Sequence, residues 1–252
     1  MARQTNTPTN PNDSIDKYPL RSLATALRRF VPPSGPFDAA GTWRQTYGVY
    51  TLAGRASAAR RVGMLRLSRE VDADKSAVLR VAYNKQLTGG SQHVTAELHV
   101  KPDSVISTPT AWSFETLLKD PAGEAVPHTR LKRRAKFAEG TVTITDASET
   151  KRIRIAGDYT VNWCLFDAVG RLPRREGKPL TFTLIDHFDQ PKAGTSLSFR
   201  KPMDVAVGGG RSIRTFAFDQ VGAGNVPWVY WLDERGRLLF VVAGLEGYLL
   251  EP

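Results

Sequence analysis

Hydrophobic and polar residues alternate along most of the chain after residue 42. In the segment HVTAELHV, the residues Val94, Ala96, Leu98 and Val100 fall on one side and polar residues fall on the other. The same period of two recurs in SAVLRVAYNKQL, TVTIT, KRIRIA, LTFTLID, SLSFR and RTFAF. This is the spacing of a β-strand with one buried face, and turn-forming residues separate the segments. The pattern predicts an antiparallel, mainly β architecture of roughly ten to twelve strands.

A helical period precedes the strands, in IDKYPLRSLATALRRFV. Leu20, Leu23, Leu27 and Phe30 recur every three or four residues, which places them near one face of a helix. The following VPPSGP ends the pattern, because proline cannot continue a helix. We therefore predict an amphipathic helix within residues 17–31 that docks on the β domain.

The last strands differ from the others because they are apolar on both faces. In VPWVYWLDERGRLLFVVAGLEGYLL, the residues Trp228 and Tyr230 point one way and Trp231 points the other. A strand that is apolar on both sides must be covered on both sides. One face can pack on the core, and the other needs a helix, a second sheet layer or a cavity for an apolar ligand.

A second helical pattern lies in TVNWCLFDAVGRLP. Trp163, Phe166, Val169 and Leu172 recur at helical spacing, and Asn162 is a candidate N-cap residue. A short helix with a large apolar face among strands is suited to cover the C-terminal hairpin. The sequence does not determine whether this helix closes a solid core or a pocket.

Together these patterns predict a mainly β fold, an antiparallel curved sheet or half-barrel with one N-terminal and one short inserted helix. A β-sandwich and a closed β-barrel are the alternatives. We divide the chain into a disordered tail at residues 1–14, a helix and linker at 15–35, and a single antiparallel β domain at 36–252.

The function that these patterns favour is non-catalytic binding of an apolar small molecule or a lipid-like ligand between the sheet and its covering helices. Aromatic residues near the predicted helix and hairpin would line the cavity: Trp163, Phe166, Phe182, Trp228, Tyr230 and Trp231. No motif for a cofactor occurs, and we expect neither a cofactor nor a metal ion.

An alternative is a hydrolase-type enzyme. The chain has a single cysteine, Cys164, and one of its four histidines is His187. A thiolate at the first turn of a helix is favoured by the helix dipole, and His187 could act as its base with Asp186 or Asp189 orienting the ring. The opposing interpretation is that Cys164 is a small buried residue, as free cysteines usually are.

A second alternative follows from the charge. The net charge is +10 and the sequence pI is about 9.9, which permits attraction to polyanions such as nucleic acid. A basic patch would contain Arg130, Lys132, Arg134, Lys136, Arg174 and Arg175. The aromatic residues lie in apolar runs rather than among these charges, which does not favour nucleic acid. The simpler interpretation of RLKRRAKF is an edge strand protected by its charges.

No apolar run is long enough for a membrane span, and the polar N-terminus lacks the apolar centre of a signal peptide. We expect a cytoplasmic protein if the sequence is complete, and an exported or periplasmic one if a leader is missing. The oligomeric state is not determined by the sequence.

The closing hairpin, Pro227 to Leu238, has the form P-W-V-Y-W-L-D-x-x-G-R-L. With the long antiparallel strands and the embedded helix, it resembles the periplasmic lipoprotein carriers and their relatives. The resemblance implies a strongly curved sheet that wraps helices and encloses an apolar cavity. It covers about a tenth of the chain as a motif, and no functional residue is transferred from it.

Overall fold

One 15-stranded sheet dominates the computed structural model, which describes residues 20–52 and 59–252. The predicted fold class is confirmed: the protein is mainly β, the sheet is curved and mostly antiparallel, and it is not closed. The tail predicted at residues 1–14 lies outside the described residues.

The first eight strands pair with one another in chain order. They are β1 (Trp43–Thr51), β2 (Arg60–Val71), β3 (Ala77–Leu87), β4 (Gly90–Val100), β5 (Pro109–Lys119), β6 (Leu131–Ala138), β7 (Thr141–Thr145) and β8 (Thr150–Arg154). Alternating burial along β3 and β4 confirms their predicted period of two, with the apolar side chains on the buried face.

The second half of the sheet continues from β1 on its other side. Its strands are β9 (Tyr159–Val161), β10 (Leu180–Asp186), β11 (Gln190–Val207), β12 (Arg211–Val221), β13 (Trp228–Leu232), β14 (Leu238–Ala243) and β15 (Glu246–Leu250). The total exceeds the predicted ten to twelve strands. Strands as short as β9 are too brief to show a period of two.

The order across the sheet is β8-β7-β6-β5-β4-β3-β2-β1-β15-β14-β13-β12-β11-β10-β9. The two edge strands, β8 and β9, are therefore consecutive in the chain. Only a short connection at residues 155–158 separates them, so the sheet must curve until its two edges come near each other. β9 pairs with β10 in parallel, while the other neighbouring strands are antiparallel.

The predicted inserted helix packs on the inner face of this sheet. It comprises α2 (Cys164–Ala168), and a 3₁₀ turn at Val169–Arg171 follows. The Phe166 ring lies 5.6 Å from the rings of Tyr47 and Tyr248 and 5.9 Å from that of Tyr230. These three tyrosines come from β1, β15 and β13, so α2 covers the C-terminal strands from the inside.

The N-terminal segment covers the same strands from the outside. A 3₁₀ turn at Leu20–Leu23 leads into α1 (Ala24–Leu27), which confirms a short helical element where the sequence predicts one. The Phe30 ring lies 6.4 Å from that of Phe240, which in turn stacks on Trp231 at 5.2 Å. The two apolar faces of the C-terminal hairpin are thus both covered, as the sequence requires.

The charged strand RLKRRAKF is not an edge. It forms β6, which lies between β5 and β7, and the edge on this side is β8. Because β6 has a hydrogen-bonded partner on each side, its charges are not needed to protect an exposed ladder. No helix in the described residues is both long and apolar enough to span a membrane.

Candidate functional site

A pocket of about 250 Å³ opens at the end of the sheet where β3 ends and β4, β13 and β15 begin. Residues from the inner face, from the start of α2 and from the β10–β11 turn surround it. They are Tyr83, Gln92, Val94, Phe114, Thr116, Asn162, Trp163, His187, Phe188, Trp228, Glu246 and Tyr248. The pocket is therefore assembled from segments spread over most of the chain.

Aromatic rings form most of its wall and support one another. Trp163 lies 5.7 Å from the Tyr83 ring and 5.8 Å from the Phe188 ring. Phe188 stacks on Phe114 at 4.6 Å. Such contacts hold the rings in defined orientations, so the wall is largely formed before any ligand arrives.

The opposite side of the pocket is a layered aromatic stack. Trp228, which is half-buried, stacks on Tyr248 and on Tyr230 with centroids 6.0 Å apart in both cases. Phe166 contacts all three rings edge-on from below. Trp228 is thus fixed from beneath while its upper surface lines the pocket.

Glu246 is the acidic group of the pocket, and Lys85 forms an ion pair with it. The Tyr248 hydroxyl donates a hydrogen bond to the same carboxylate at 2.7 Å. Burial, together with the nearby charge of Glu246, raises the pKa of Tyr83. Tyr83 and Tyr248 therefore keep their protons at neutral pH. The ammonium group of Lys85 balances the charge of the Glu246 carboxylate.

Asn162 is the polar group whose bonding is incomplete. Its Nδ2 donates to Asp186 Oδ1 at 2.7 Å, while its Oδ1 is buried and has no partner among the described residues. Because a carboxylate only accepts, this contact fixes which way the amide points. Burial opposes ionisation of Asp186, but hydrogen bonds from Lys192 and Asn162 outweigh it and lower the pKa. The prediction that Asn162 is the N-cap of α2 is wrong. The N-cap residue is Trp163, and no side chain forms a capping hydrogen bond there.

The three residues of the enzyme alternative occupy different environments. Cys164 is fully buried, and burial followed by the charge of Asp167 raises the pKa of its thiol to about 12. The His187 side chain is largely exposed on the β10–β11 turn. Asp189 pairs with Arg133 at 2.6 Å. None of the hydrogen bonds within the described ranges joins Cys164 to His187 or His187 to Asp189, so the arrangement of a nucleophile, a base and an orienting carboxylate is not assembled.

The predicted ligand-binding aromatics occupy four different positions. Trp163 and Trp228 line the pocket, and Phe166 and Tyr230 lie beneath it. Phe182 is buried in β10. Trp231 points to the outer face, since neighbouring residues of a strand point to opposite sides, and it packs under the N-terminal segment.

The predicted basic patch divides as well. Arg130 and Lys132 pair with Glu115, and Lys132, Arg134 and Lys136 share the outer face of β6. Arg174 instead donates to the carbonyls of residues 233 and 234 on the β13–β14 hairpin, and its guanidinium lies over the Phe216 ring. Arg175 is exposed beside it. The structure thus brings together the members on β6 and shows no contact between them and Arg174.

Sequence reasoning missed most of the residues that line the pocket. Tyr83, Phe114 and Phe188 belong to ordinary strand and turn patterns, and nothing near Glu246 marks it as a site residue. The missing information is topological: β3, β5 and β10 end at the same rim where β15 begins. One local signal was available, because Tyr83 closes the buried face of a strand that otherwise carries aliphatic residues.

A buried charge cluster holds α2 in place beneath the pocket. The Asp167 carboxylate accepts hydrogen bonds from Arg69 Nη1 at 3.0 Å, Ser107 Oγ at 2.5 Å and Arg171 Nη2 at 2.8 Å. These partners belong to β2, to the β4–β5 connection and to the 3₁₀ turn after α2. They therefore position the helix, and with it Trp163, relative to the sheet.

The fold and the pocket define a class of protein, one built on a single strongly curved, barrel-like sheet. The chain is similar to the crystal structure of a β-barrel-like protein of the domain of unknown function DUF1849 from Brucella abortus. The two superpose with a TM-score of 0.55 and 11% sequence identity, over 84% of this chain and 96% of that one. At this identity the similarity shows the fold alone. No family model and no curated protein matches the chain.

Proposed function

We propose that the aromatic pocket binds a small molecule without chemical catalysis, and that this ligand has a ring-bearing apolar body and one hydrogen-bond donor. The observation that carries the proposal is the combination at one rim of preformed aromatic walls with an unpaired acceptor, Asn162 Oδ1. Concave, mostly apolar sites with few convergent polar groups are typical of small-molecule binding.

The volume of the pocket limits the size of the ligand that it can hold. Its volume of about 250 Å³ lies just below the roughly 300–1,000 Å³ common for drug-sized ligands. The resemblance to lipoprotein carriers would suggest a lipid, but this space suits a ring system or one segment of an acyl chain. We therefore favour a compact aromatic or alicyclic molecule.

The donor follows from the bonding of Asn162. A buried acceptor without a partner costs free energy, and a small rotation of the Asn162 side chain toward the pocket would let a ligand N–H or O–H bind Oδ1 and remove that cost. The neighbouring carboxylates are already matched by cations, Glu246 by Lys85 and Asp186 by Lys192. The pocket therefore offers little net charge, and we propose a neutral donor rather than a cation.

Titration with N-phenyl-1-naphthylamine tests this proposal, because the probe has two aromatic rings and one N–H. Energy transfer from Trp163 and Trp228 to the probe reports binding. Thr116→Phe would place a ring in the pocket, and we expect the affinity to fall by about tenfold or more. The matched variant Thr143→Phe adds the same ring on β7 outside the pocket and should leave the affinity nearly unchanged. Equal losses in the two variants would refute binding in the pocket.

The donor is tested separately, by comparing that probe with 1-benzylnaphthalene, which lacks the N–H. The folded protein should prefer the amine, and Asn162→Ala should reduce this preference by about tenfold. Because both probes are measured in the same variant, a change in pocket shape affects them alike. If the wild-type protein binds the two probes equally, the pocket binds apolar rings but the donor part of the proposal is wrong.

A further inference from the structure

The outer face of the sheet contains a second concave surface, which is larger than the pocket and differs in chemistry. This outer groove has a volume of about 650 Å³ and crosses β1 to β6. Its walls and floor carry the polar members of these strands: Arg44, Arg66, Ser68, Arg80, Thr95, Glu97, Ser113, Glu115, Lys132 and Arg134. It lies on the opposite side of the sheet from α2, so it is independent of the aromatic pocket.

Unpaired arginines stand at both ends of the outer groove. Arg44 and Arg66 are on β1 and β2, and Arg134 is on β6; all three are exposed. No ion pair or hydrogen bond joins any of their side chains to another described residue. Because guanidinium groups bind carboxylates and other oxyanions through two parallel hydrogen bonds, each end offers an anion site.

The middle of the outer groove is different, because its charges are already balanced. Arg80 pairs with Glu97 at 3.0 Å, and Lys132 pairs with Glu115 at 3.1 Å. Around these pairs the floor carries the hydroxyl groups of Ser68, Thr95 and Ser113. This section therefore offers hydrogen-bond donors and acceptors to an uncharged polar group rather than a site for another anion.

Strand register sets the distance between the two ends. Arg44, Ser68, Arg80, Glu97, Ser113 and Arg134 are direct cross-strand neighbours in one row across β1 to β6. Five steps between strands, at about 4.8 Å each, separate Arg44 from Arg134 by about 24 Å along the sheet. A ligand that meets both ends is therefore an oligomer, with anionic groups far apart and hydroxyl-rich units between them.

We propose that the outer groove binds a linear acidic polysaccharide, with carboxylates at the arginine ends and sugar hydroxyls over the central hydroxyl and carboxylate groups. Glu97 and Glu115 would oppose a chain with an anion at every unit, such as a nucleic acid. Phe114 is the aromatic residue among the described residues that line the outer groove, and its ring points to the inner face, where it stacks on Phe188. The groove therefore offers no aromatic surface on which bases could stack.

Binding of fluorescently labelled hyaluronan oligomers to the full chain, measured by fluorescence anisotropy, tests the proposal, because only every second sugar of this polysaccharide carries a carboxylate. The triple variant Arg44→Ser/Arg66→Ser/Arg134→Ser should lower the affinity by about tenfold, since each exposed cation contributes modestly. The control Arg175→Ser/Lys178→Ser/Lys201→Ser removes the same charge from exposed residues outside the outer groove. We expect it to change the affinity by about twofold at most, from long-range attraction alone.

Competing ligands distinguish the partner. Oligothymidylate, phosphatidylglycerol vesicles and neutral dextran are measured in the same way, and each should bind more weakly than hyaluronan. The proposal is overturned if both triple variants lose affinity equally, if hyaluronan does not bind, or if oligothymidylate or vesicles bind more tightly. The variants replace exposed side chains, and an unchanged urea unfolding midpoint confirms that they remain folded. Thr116→Phe, which fills the aromatic pocket, should leave hyaluronan binding unchanged, so the two proposals fail independently.

Discussion

At the scale of single residues, the buried carboxylate of Asp167 contributes most clearly to holding the structure together. Its side chain is 1% exposed, and a charge in such a position is costly unless it is paired and hydrogen-bonded. Arg69, Ser107 and Arg171 supply the donors. Arg171 also donates to the carbonyl of Ser104, so the cluster connects α2 to two separate parts of the sheet.

Asp167→Ala should lower the free energy of unfolding by about 3–5 kcal/mol, because it leaves the buried Arg69 guanidinium without its counter-ion. Urea unfolding followed by tryptophan fluorescence measures the change. The matched control is Asp204→Ala, whose partner Arg214 is about half exposed, and we expect a change within about 0.5 kcal/mol.

The double variant Arg69→Met/Asp167→Leu should lose less stability than Asp167→Ala alone, since it removes both charges instead of stranding one. Arg171 keeps its bonds to Ser104 and Ser107 in this variant. A double variant that is less stable than the single one would show that the ion pair itself, rather than the avoided unpaired charge, stabilises the fold.

Because of Cys164, the free energy of unfolding should decrease as the pH becomes alkaline. Its pKa in the folded protein is about 12, raised from 9.0, so between these values the unfolded state binds fewer protons than the folded state. Stability from the protonated thiol is complete below the unfolded pKa and is lost as pH rises above it. The wild-type protein should therefore lose about 2 kcal/mol more than Cys164→Ala between pH 8 and pH 10.5.

Urea unfolding at the two pH values measures this difference. Ionisation of the buried tyrosines changes the stability of the wild-type protein and of Cys164→Ala equally, so it cancels in the comparison. The same burial predicts that Ellman's reagent does not label Cys164 at pH 8 until urea is added. Rapid labelling of the folded protein would contradict the buried position and would support a catalytic thiol.

At the scale of elements, the 3₁₀ turn after α2 packs closely against the β13–β14 hairpin. A Cβ atom at Gly170 would lie 2.6 Å from the carbonyl oxygen of Gly236, and one at Gly236 would lie 2.5 Å from that of Gly170. Gly236 also has a backbone φ of 84°, which residues that carry a side chain rarely adopt. The two glycines thus permit a backbone contact that joins the inserted helix to the C-terminal strands.

Gly170→Ala should reduce stability by about 1–3 kcal/mol, because the methyl group meets backbone that cannot rotate away. Gly177→Ala is the control, since a Cβ there would meet no atom within 4 Å, and it should be neutral or slightly stabilising. Thermal unfolding compares the two. Similar melting temperatures would mean that the 3₁₀ turn can move away from the hairpin at little cost.

At the scale of the whole molecule, side chains rather than a strand ladder hold the two sheet edges near each other. Tyr159 and Thr160 of β9 donate to the carbonyls of Pro109 and Ser107, on the opposite half of the sheet. Asp189, on the β10–β11 turn, accepts from Arg133 of β6, and its carbonyl accepts from Lys151 of β8. Since no backbone ladder among the described strands crosses this junction, it is the place where we expect the barrel-like shape to open most easily.

Asp189→Ala should increase hydrogen exchange in β7, β8 and residues 186–191 while changing global stability by less than about 1 kcal/mol. Hydrogen–deuterium exchange with mass spectrometry measures this. Asp219→Ala is the control, because its partner Arg200 lies on the adjacent strand, and the two strands are joined by a backbone ladder. It should leave exchange in β8 unchanged, and equal effects of the two variants would mean that the junction has no special role.

Most of the elements, but only part of the pocket, follow from the sequence. Trp163 and Trp228 both line the pocket, and a local pattern marks each of them in the sequence, one in a helix and one in a doubly apolar strand. Asn162 and Glu246 were not predicted to line the pocket, because their roles depend on which strands end at the same rim. The same limit explains β6, whose charges resembled edge protection until the strand order placed it between two partners.

By itself, the sequence determined the mainly β class, the two covering helices and the need to cover both faces of the C-terminal strands. These features depend on local periodicity, which side-chain burial imposes along each element. Only the tertiary structure decided the order of the 15 strands, the junction between β8 and β9, the aromatic pocket and the arginine-lined outer groove. Each of these depends on contacts between residues far apart in the chain, which periodicity within one element does not encode.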